Sequence, residues 1–143
     1  MTILYQDEYL VVAVKPVGVL SEDSPHGACM PALLRAYYQS RGEKDYIATV
    51  HRLDRIVGGV MVFSRRRDVT GKLTAAMAAH AITKEYLAVL RGCPEQDAGT
   101  LTDLLFRDAQ HNKSYVVRRM RKGVREATLD YTVLAKTDAL TLV

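Results

Sequence analysis

One carboxylate in this chain of 143 residues stands where it could do chemistry. Asp54 lies between Arg52 and Arg55 in the stretch TVHRLDRIVGGVMVFS, just ahead of the Gly58-Gly59 pair. Cations on either side favour the charged form of a carboxylate, and a charged carboxylate beside a bend is what nucleophilic or general-base chemistry needs. The same pattern also fits a structural role, with Asp54 capping a turn and both arginines solvated. Spacing alone leaves both readings open.

Two other groups of residues could join such a site. In KEYLAVL, residues 84, 86, 88 and 90 share one face of a strand, so Lys84 and Tyr86 point the same way. Between Asp108 and Arg125 the chain is strongly basic, with Lys113, Arg118, Arg119, Arg121, Lys122 and Arg125 surrounding Tyr115. A solvated hairpin would have the same composition. There is no GxxxxGK[ST], GxGxxG or GxSxG, so nucleotide hydrolysis, dinucleotide redox chemistry and esterase chemistry have no signature. A carboxylate between arginines, an outward tyrosine and clustered cations suit a reaction on a nucleotide in RNA. Arginines track phosphate, an aromatic ring stacks on an extruded base, and the carboxylate attacks.

The elements that must hold these residues can be read in order. Ile3 to Tyr5 and Tyr9 to Val14 form two strands around a polar turn, and Lys15-Pro16-Val17-Gly18 breaks the run. Ser21 to Gly27 is loop. Pro31 opens a helix with Leu33, Leu34, Tyr37 and Tyr38 on one side and Gly42 past its end. Val60 to Phe63 is a buried strand behind Asp54. Arg65-Arg66-Arg67 is a solvated entrance to a helix from about Asp68 to His80, whose stripe of Val69, Leu73, Ala76, Met77 and His80 is buried. Strands follow over Lys84–Leu90, Gly99–Phe106, Ala127–Ala135 and Ala139–Val143. Several successive strands have no helix between them, which favours an α+β fold with a mixed, mainly antiparallel sheet and flanking helices.

Composition sets outer bounds. Hydrophobic residues make up 48% and charged residues 25%, ordinary for a globular protein of one domain. The net charge of +4 leans toward polyanionic partners. Cys29 and Cys93 have no CxxC spacing and His26, His51, His80 and His111 are scattered, so no metal site is expected. No leader pattern or apolar run of membrane-spanning length is present, and a cytoplasmic location is expected.

HRLDR at His51 to Arg55, followed by glycine and a hydrophobic strand, resembles the signature of the RluA-type pseudouridine synthases. Three further segments agree in order. ILYQDEYLVVAVKPVGVLSE resembles that family's first strand pair and its Lys-Pro-x-Gly turn. KEYLAVLRG resembles its Lys-x-Tyr-x-Ala-x-x-x-Gly motif, at Lys84, Tyr86, Ala88 and Gly92, and REATLDYTVL resembles the strand that follows.

The resemblance implies the pseudouridine synthase catalytic-domain fold across residues 1–143, as the N-terminal two-thirds of that domain, without a separate N-terminal RNA-binding domain. It implies isomerisation of uridine to pseudouridine in structured RNA (rRNA or tRNA) by a monomer without cofactor or metal. Asp54 would be the catalytic carboxylate. Tyr86 would stack on the uracil and take part in removal of the C5 proton, and Arg52 would displace the flipped base. His51, Arg55, Lys84 and Lys15 would contact RNA.

Two departures stand out. Val57-Gly58-Gly59 replaces the family's usual hydroxyl residues before glycine. The third motif, Gly-Arg-x-His-Gln-Ile-Arg, which supplies an arginine to pair with the aspartate, is absent from the sequence, so the expected fold is C-terminally incomplete. That leaves a second reading, a non-catalytic RNA-binding remnant of the same fold. A nucleoside hydrolase is a third.

Overall fold

The computed structural model describes residues 1–111 and 113–143. The chain divides into two compact units, Met1–Thr83 and Lys84–Val143.

The first unit is a four-stranded antiparallel sheet with two helices. It contains β1 (Thr2–Gln6), β2 (Leu10–Lys15), α1 (Met30–Gln39), β3 (Ala48–Thr49), β4 (Gly59–Ser64) and α2 (Arg67–Ala78), with the sheet ordered β1-β2-β4-β3. The β1–β2 connection closes on Asp7, whose Oδ1 accepts from the backbone N–H of Tyr9 and Leu10, both at 2.8 Å. Those backbone bonds, the Leu10 one foremost, hold its carboxyl below the usual carboxylate range.

In the β2–β4 ladder Val11 faces Phe63, Ala13 faces Met61 and Lys15 faces Gly59. Period-2 alternation puts all three β2 residues on one face, and all three are buried. Helix α1 covers that face through Met30, Leu34 and Tyr38, and Ile47 completes the core. The expected helical face is thus narrower than read from spacing: Leu33 is exposed and Tyr37 half-buried. Pro31 sits in the first turn, where a missing N–H costs nothing.

Helix α2 is a correction in degree. Val69, Leu73, Ala76 and Met77 are only half-buried, and His80 is exposed at φ 53° beyond the helix end. The triple arginine is a clearer correction. The Arg65 guanidinium stacks 3.7 Å from the Tyr38 ring centroid, donates to the Asp7 carbonyl at 2.6 Å and pairs with Glu43 at 3.0 Å. It is a packed side chain, whereas its neighbour Arg66 pairs with Asp68 at the surface.

The second unit comprises β5 (Val89–Arg91), β6 (Ala98–Asp108), β7 (Lys113–Val117), β8 (Val124–Thr132), β9 (Ala135–Lys136) and β10 (Leu140–Leu142). These form two antiparallel sheets, ordered β5-β10-β9 and β7-β6-β8. The expected KEYLAVL strand is shorter than its alternation suggests. Val89–Arg91 pairs with β10, and Ala88 exchanges both backbone bonds with Val143 at 2.9 Å. Lys84 to Leu87 form no strand, because alternation without a ladder partner does not make one. All named strand pairs are antiparallel, and one isolated parallel bridge joins Leu20 to Cys29. The architecture is the expected α+β class, with its mainly antiparallel pairing distributed over three sheets.

Candidate functional site

Asp54 is exposed in the turn between β3 and β4, and Val57 N–H closes that turn on the Asp54 carbonyl at 3.0 Å. Its carboxylate makes no hydrogen bond or ion pair among the described residues. The residues on either side of it are fastened. Leu53 is bonded twice to one hydroxyl: Ser21 Oγ donates to the Leu53 carbonyl at 2.5 Å and accepts from the Leu53 N–H at 3.0 Å. The Arg55 carbonyl accepts from Gly18 N–H at 2.7 Å and from Lys15 Nζ at 3.4 Å.

Lys15 is fully buried, and its Nζ also donates to the carbonyls of Val19 at 2.8 Å and Pro16 at 3.2 Å. Its place follows from β2: the alternation that buries Val11 and Ala13 sends the next inward side chain under the Asp54 turn. Burial lowers the Lys15 pKa, and the negative charge of Asp54 opposes that shift. The expected RNA contact by Lys15 is therefore corrected, since a side chain with no exposed surface cannot reach a ligand. It ties two turns together.

Two glycines permit the approach. Gly18 has φ 87°, a conformation glycine adopts without a Cβ penalty, and this directs its N–H at Arg55. A Cβ on Gly58 would lie 3.3 Å from Val17 Cγ2 and 3.4 Å from the Lys15 carbonyl.

The two arginines do not close on Asp54 as the sequence suggested. Arg52 is exposed and pairs with Glu22 at 3.2 Å, and Arg55 Nε donates to the Gly18 carbonyl at 3.0 Å. The charge of Asp54 acts on the buried Lys15. His51 serves the sheet: its Nε2 accepts from Val62 N–H at 3.0 Å, on the edge of β4 that β3 no longer covers beyond Phe63.

A cavity of about 280 Å³ opens over this turn, lined by Ser21, Glu22, Ser24, Arg52, Asp54 and Arg55 among others. A buried apolar cavity of roughly 150 Å³ holds benzene, so there is room here for a pyrimidine ring. Ser21 and Glu22 were missed in the sequence. They close the first family-like segment and open a loop, where nothing local ties a serine to a partner 32 residues away.

In the second unit, Lys84 and Tyr86 are exposed in the irregular segment before β5, with Tyr86 at 61%. Lys113, Arg118, Arg119, Arg121, Lys122 and Arg125 are exposed on β7, on the start of β8 and on the segment that links them. None of these six forms an ion pair among the described residues, and Arg121 lies 4.9 Å from the Phe106 ring centroid. No group of three His, Cys, Asp or Glu side chains that could hold a metal ion occurs among the described residues. Among the described residues, no helix is long and apolar enough to cross a membrane.

The sequence profile of RNA pseudouridylate synthases matches residues 9–143, nearly the whole chain and both units. The chain belongs to the RNA pseudouridylate synthase family. It is 28% identical over 141 residues to tRNA pseudouridine synthase C of Vibrio parahaemolyticus, covering 96% of this chain and 55% of that protein. It is 27% identical over 123 residues to ribosomal large subunit pseudouridine synthase C of Salmonella typhi, covering 85% of this chain and 37% of that one. Among solved structures, human RNA pseudouridylate synthase domain containing 4 superposes with a TM-score of 0.80 at 26% identity, covering 99% of this chain and 56% of that one. The chain thus spans about half the length of the relatives it matches or less.

The buried ammonium of Lys15 gives a pH signature. Because burial lowers its pKa in the folded state, the unfolded chain holds the proton to higher pH. The resulting cost to stability is constant below the folded pKa and is relieved as pH rises from there to the ordinary value of 10.5. In urea denaturation from about pH 8 upward, the unaltered protein should therefore gain stability relative to Lys15→Met as pH increases. A constant stability difference between the two proteins would contradict this account of Lys15.

Proposed function

We propose that this chain forms part of an RNA pseudouridine synthase that isomerises uridine within rRNA or tRNA, with Asp54 as its catalytic carboxylate. One observation carries the reading. In a chain of this family, the one acidic side chain of HRLDR stands exposed and unbonded at a ring-sized cavity while the residues before and after it are held in place. The two relatives named above act on tRNA and on the large ribosomal subunit, as their names state.

The reaction breaks the N1–C1′ bond of uridine, forms a C5–C1′ bond, and leaves a proton on N1 in place of the one lost from C5, so substrate and product are isomers. The Asp54 carboxylate attacks the sugar or the base. Arg52 is a long, exposed side chain two residues away, suited to filling the gap in the stack left by a flipped uridine. Tyr86 offers an exposed ring for stacking on the uracil and takes part in removing the C5 proton. Lys84 and Arg55 supply positive charge to phosphate. His51, bonded to the sheet, orders the backbone from which Arg52 extends. The family match across both units supports treating them as one catalytic domain, and the chemistry needs neither cofactor nor metal.

The basic segment linking β7 to β8 is a further phosphate-contacting surface in this reading, because six exposed cations outside ion pairs among the described residues can neutralise phosphates and so release the counterions condensed on RNA. Replacing Arg118, Arg119 and Arg121 together by alanine should flatten the log–log dependence of RNA affinity on salt by about 2. An unchanged slope would remove this basic segment from the interface.

Tritium at uridine C5 provides the test of the chemistry. The protein should release label from rRNA or tRNA, and Asp54→Asn should lower that release by more than about 10³-fold, the scale for loss of an attacking group, while RNA binding persists. Release that survives the substitution would overturn the role of Asp54. RNA binding with no release by the unaltered protein would leave the non-catalytic reading, and free uracil as product would identify a hydrolase.

A further inference from the structure

We propose that Ser21 is a positioning residue for the reaction, setting the direction of both Arg52 and Asp54 through a single hydroxyl; this rests on the isomerase reading above. The two bonds of Ser21 Oγ divide between the two peptide groups of Leu53. The N–H that it accepts from, at 3.0 Å, belongs to the Arg52–Leu53 peptide, and the carbonyl that it donates to, at 2.5 Å, belongs to the Leu53–Asp54 peptide. A peptide group is planar, so fixing one atom of each plane constrains the torsions that aim the side chains on either side. The base-displacing arginine and the attacking carboxylate are thereby oriented from one point.

Several observations distinguish this hydroxyl from an ordinary loop serine. Ser21 is 5% exposed although it lies in a loop at the cavity edge. A hydroxyl has a single proton to donate, and Ser21 spends it on Leu53. The serine is itself anchored: its carbonyl accepts from Thr49 Oγ1 at 3.2 Å. The preceding Leu20 donates to the Ala28 carbonyl at 2.9 Å and accepts from Met30 N–H at 2.8 Å, at the start of α1. Alanine at this position would leave the half-buried Leu53 N–H and carbonyl without the partners they have here. The Asp54 turn would remain tied only at its other end, through Arg55, Lys15 and Gly18. A displacement of about 1 Å at a reacting group costs on the order of 10²-fold in rate.

Steady-state kinetics of tritium release on the intact protein separate positioning from binding. Ser21→Ala is expected to lower kcat by roughly 10- to 100-fold, with KM for RNA changed by no more than about twofold. Ser21→Cys keeps the volume but replaces the hydroxyl with a weak donor and acceptor, and should show the same split. It carries the test if the alanine variant does not fold. Unchanged kcat in the folded variants, or an effect confined to KM, would overturn the role of Ser21 while leaving the isomerase reading intact. No release by the unaltered protein would instead overturn the isomerase reading, and the positioning role with it.

Discussion

The first unit depends on a lysine ammonium placed where an aliphatic side chain would be expected. Lys15 occupies the third inward position of β2, after Val11 and Ala13, and has no exposed surface. Burying a charge without partners is costly, and here the charge is met by three backbone carbonyls, of Pro16, Val19 and Arg55. Two of these belong to the turn that follows β2, and the third belongs to the residue after Asp54. The ammonium thus joins segments 40 residues apart in sequence. The negative charge of Asp54 in turn opposes the lowering of the Lys15 pKa by burial.

Around that point the turn is fastened from both sides by different means. Backbone and lysine hold Arg55, a serine hydroxyl holds Leu53, and Asp54 between them is left with its carboxylate unbonded. Preorganisation of this kind lowers the cost of bringing a reacting group into line, because the geometry exists before substrate arrives. The sheet beneath is suited to carrying it. The β2–β4 ladder is continuous from Leu10↔Ser64 to Lys15↔Gly59, and α1 packs over the same face that holds Lys15. The site is built on the strands that carry the buried core of this unit, while its exposed side chains, Arg52 and Asp54, remain accessible.

How much of this was legible in the sequence depends on the range of the interactions. The β1–β2 pair, α1 with Pro31 in its first turn, and β4 behind the glycines follow from local periodicity and turn chemistry, although α1 buries a narrower face than its spacing suggests and Val60 of β4 is exposed. HRLDR placed Asp54 in its turn. Lys15 was half legible: the alternation that buries Val11 and Ala13 also buries residue 15, but a lysine ahead of proline reads as the exit from a strand. The bond from Ser21 to Leu53 was not legible, since no local pattern encodes a contact between two loops. KEYLAVL misled for the opposite reason. Its alternation is clear, yet residues 84 to 87 lack the ladder partner that would make them a strand. Arg65, read as solvated, is packed because Tyr38 and Glu43 come to it from across the fold.

The central claim, that Asp54 is presented from a turn held at both ends, is tested most directly by native-state amide exchange followed by NMR. Gly18 and Leu53 lie outside regular strands, but their N–H groups are bonded to the Arg55 carbonyl and to Ser21 Oγ. Their exchange is expected to be slow, within about tenfold of the β2 and β4 amides that open with the same cooperative unit. Exchange of both at the rate of an unprotected loop would mean that the turn is not held, and would contradict the account.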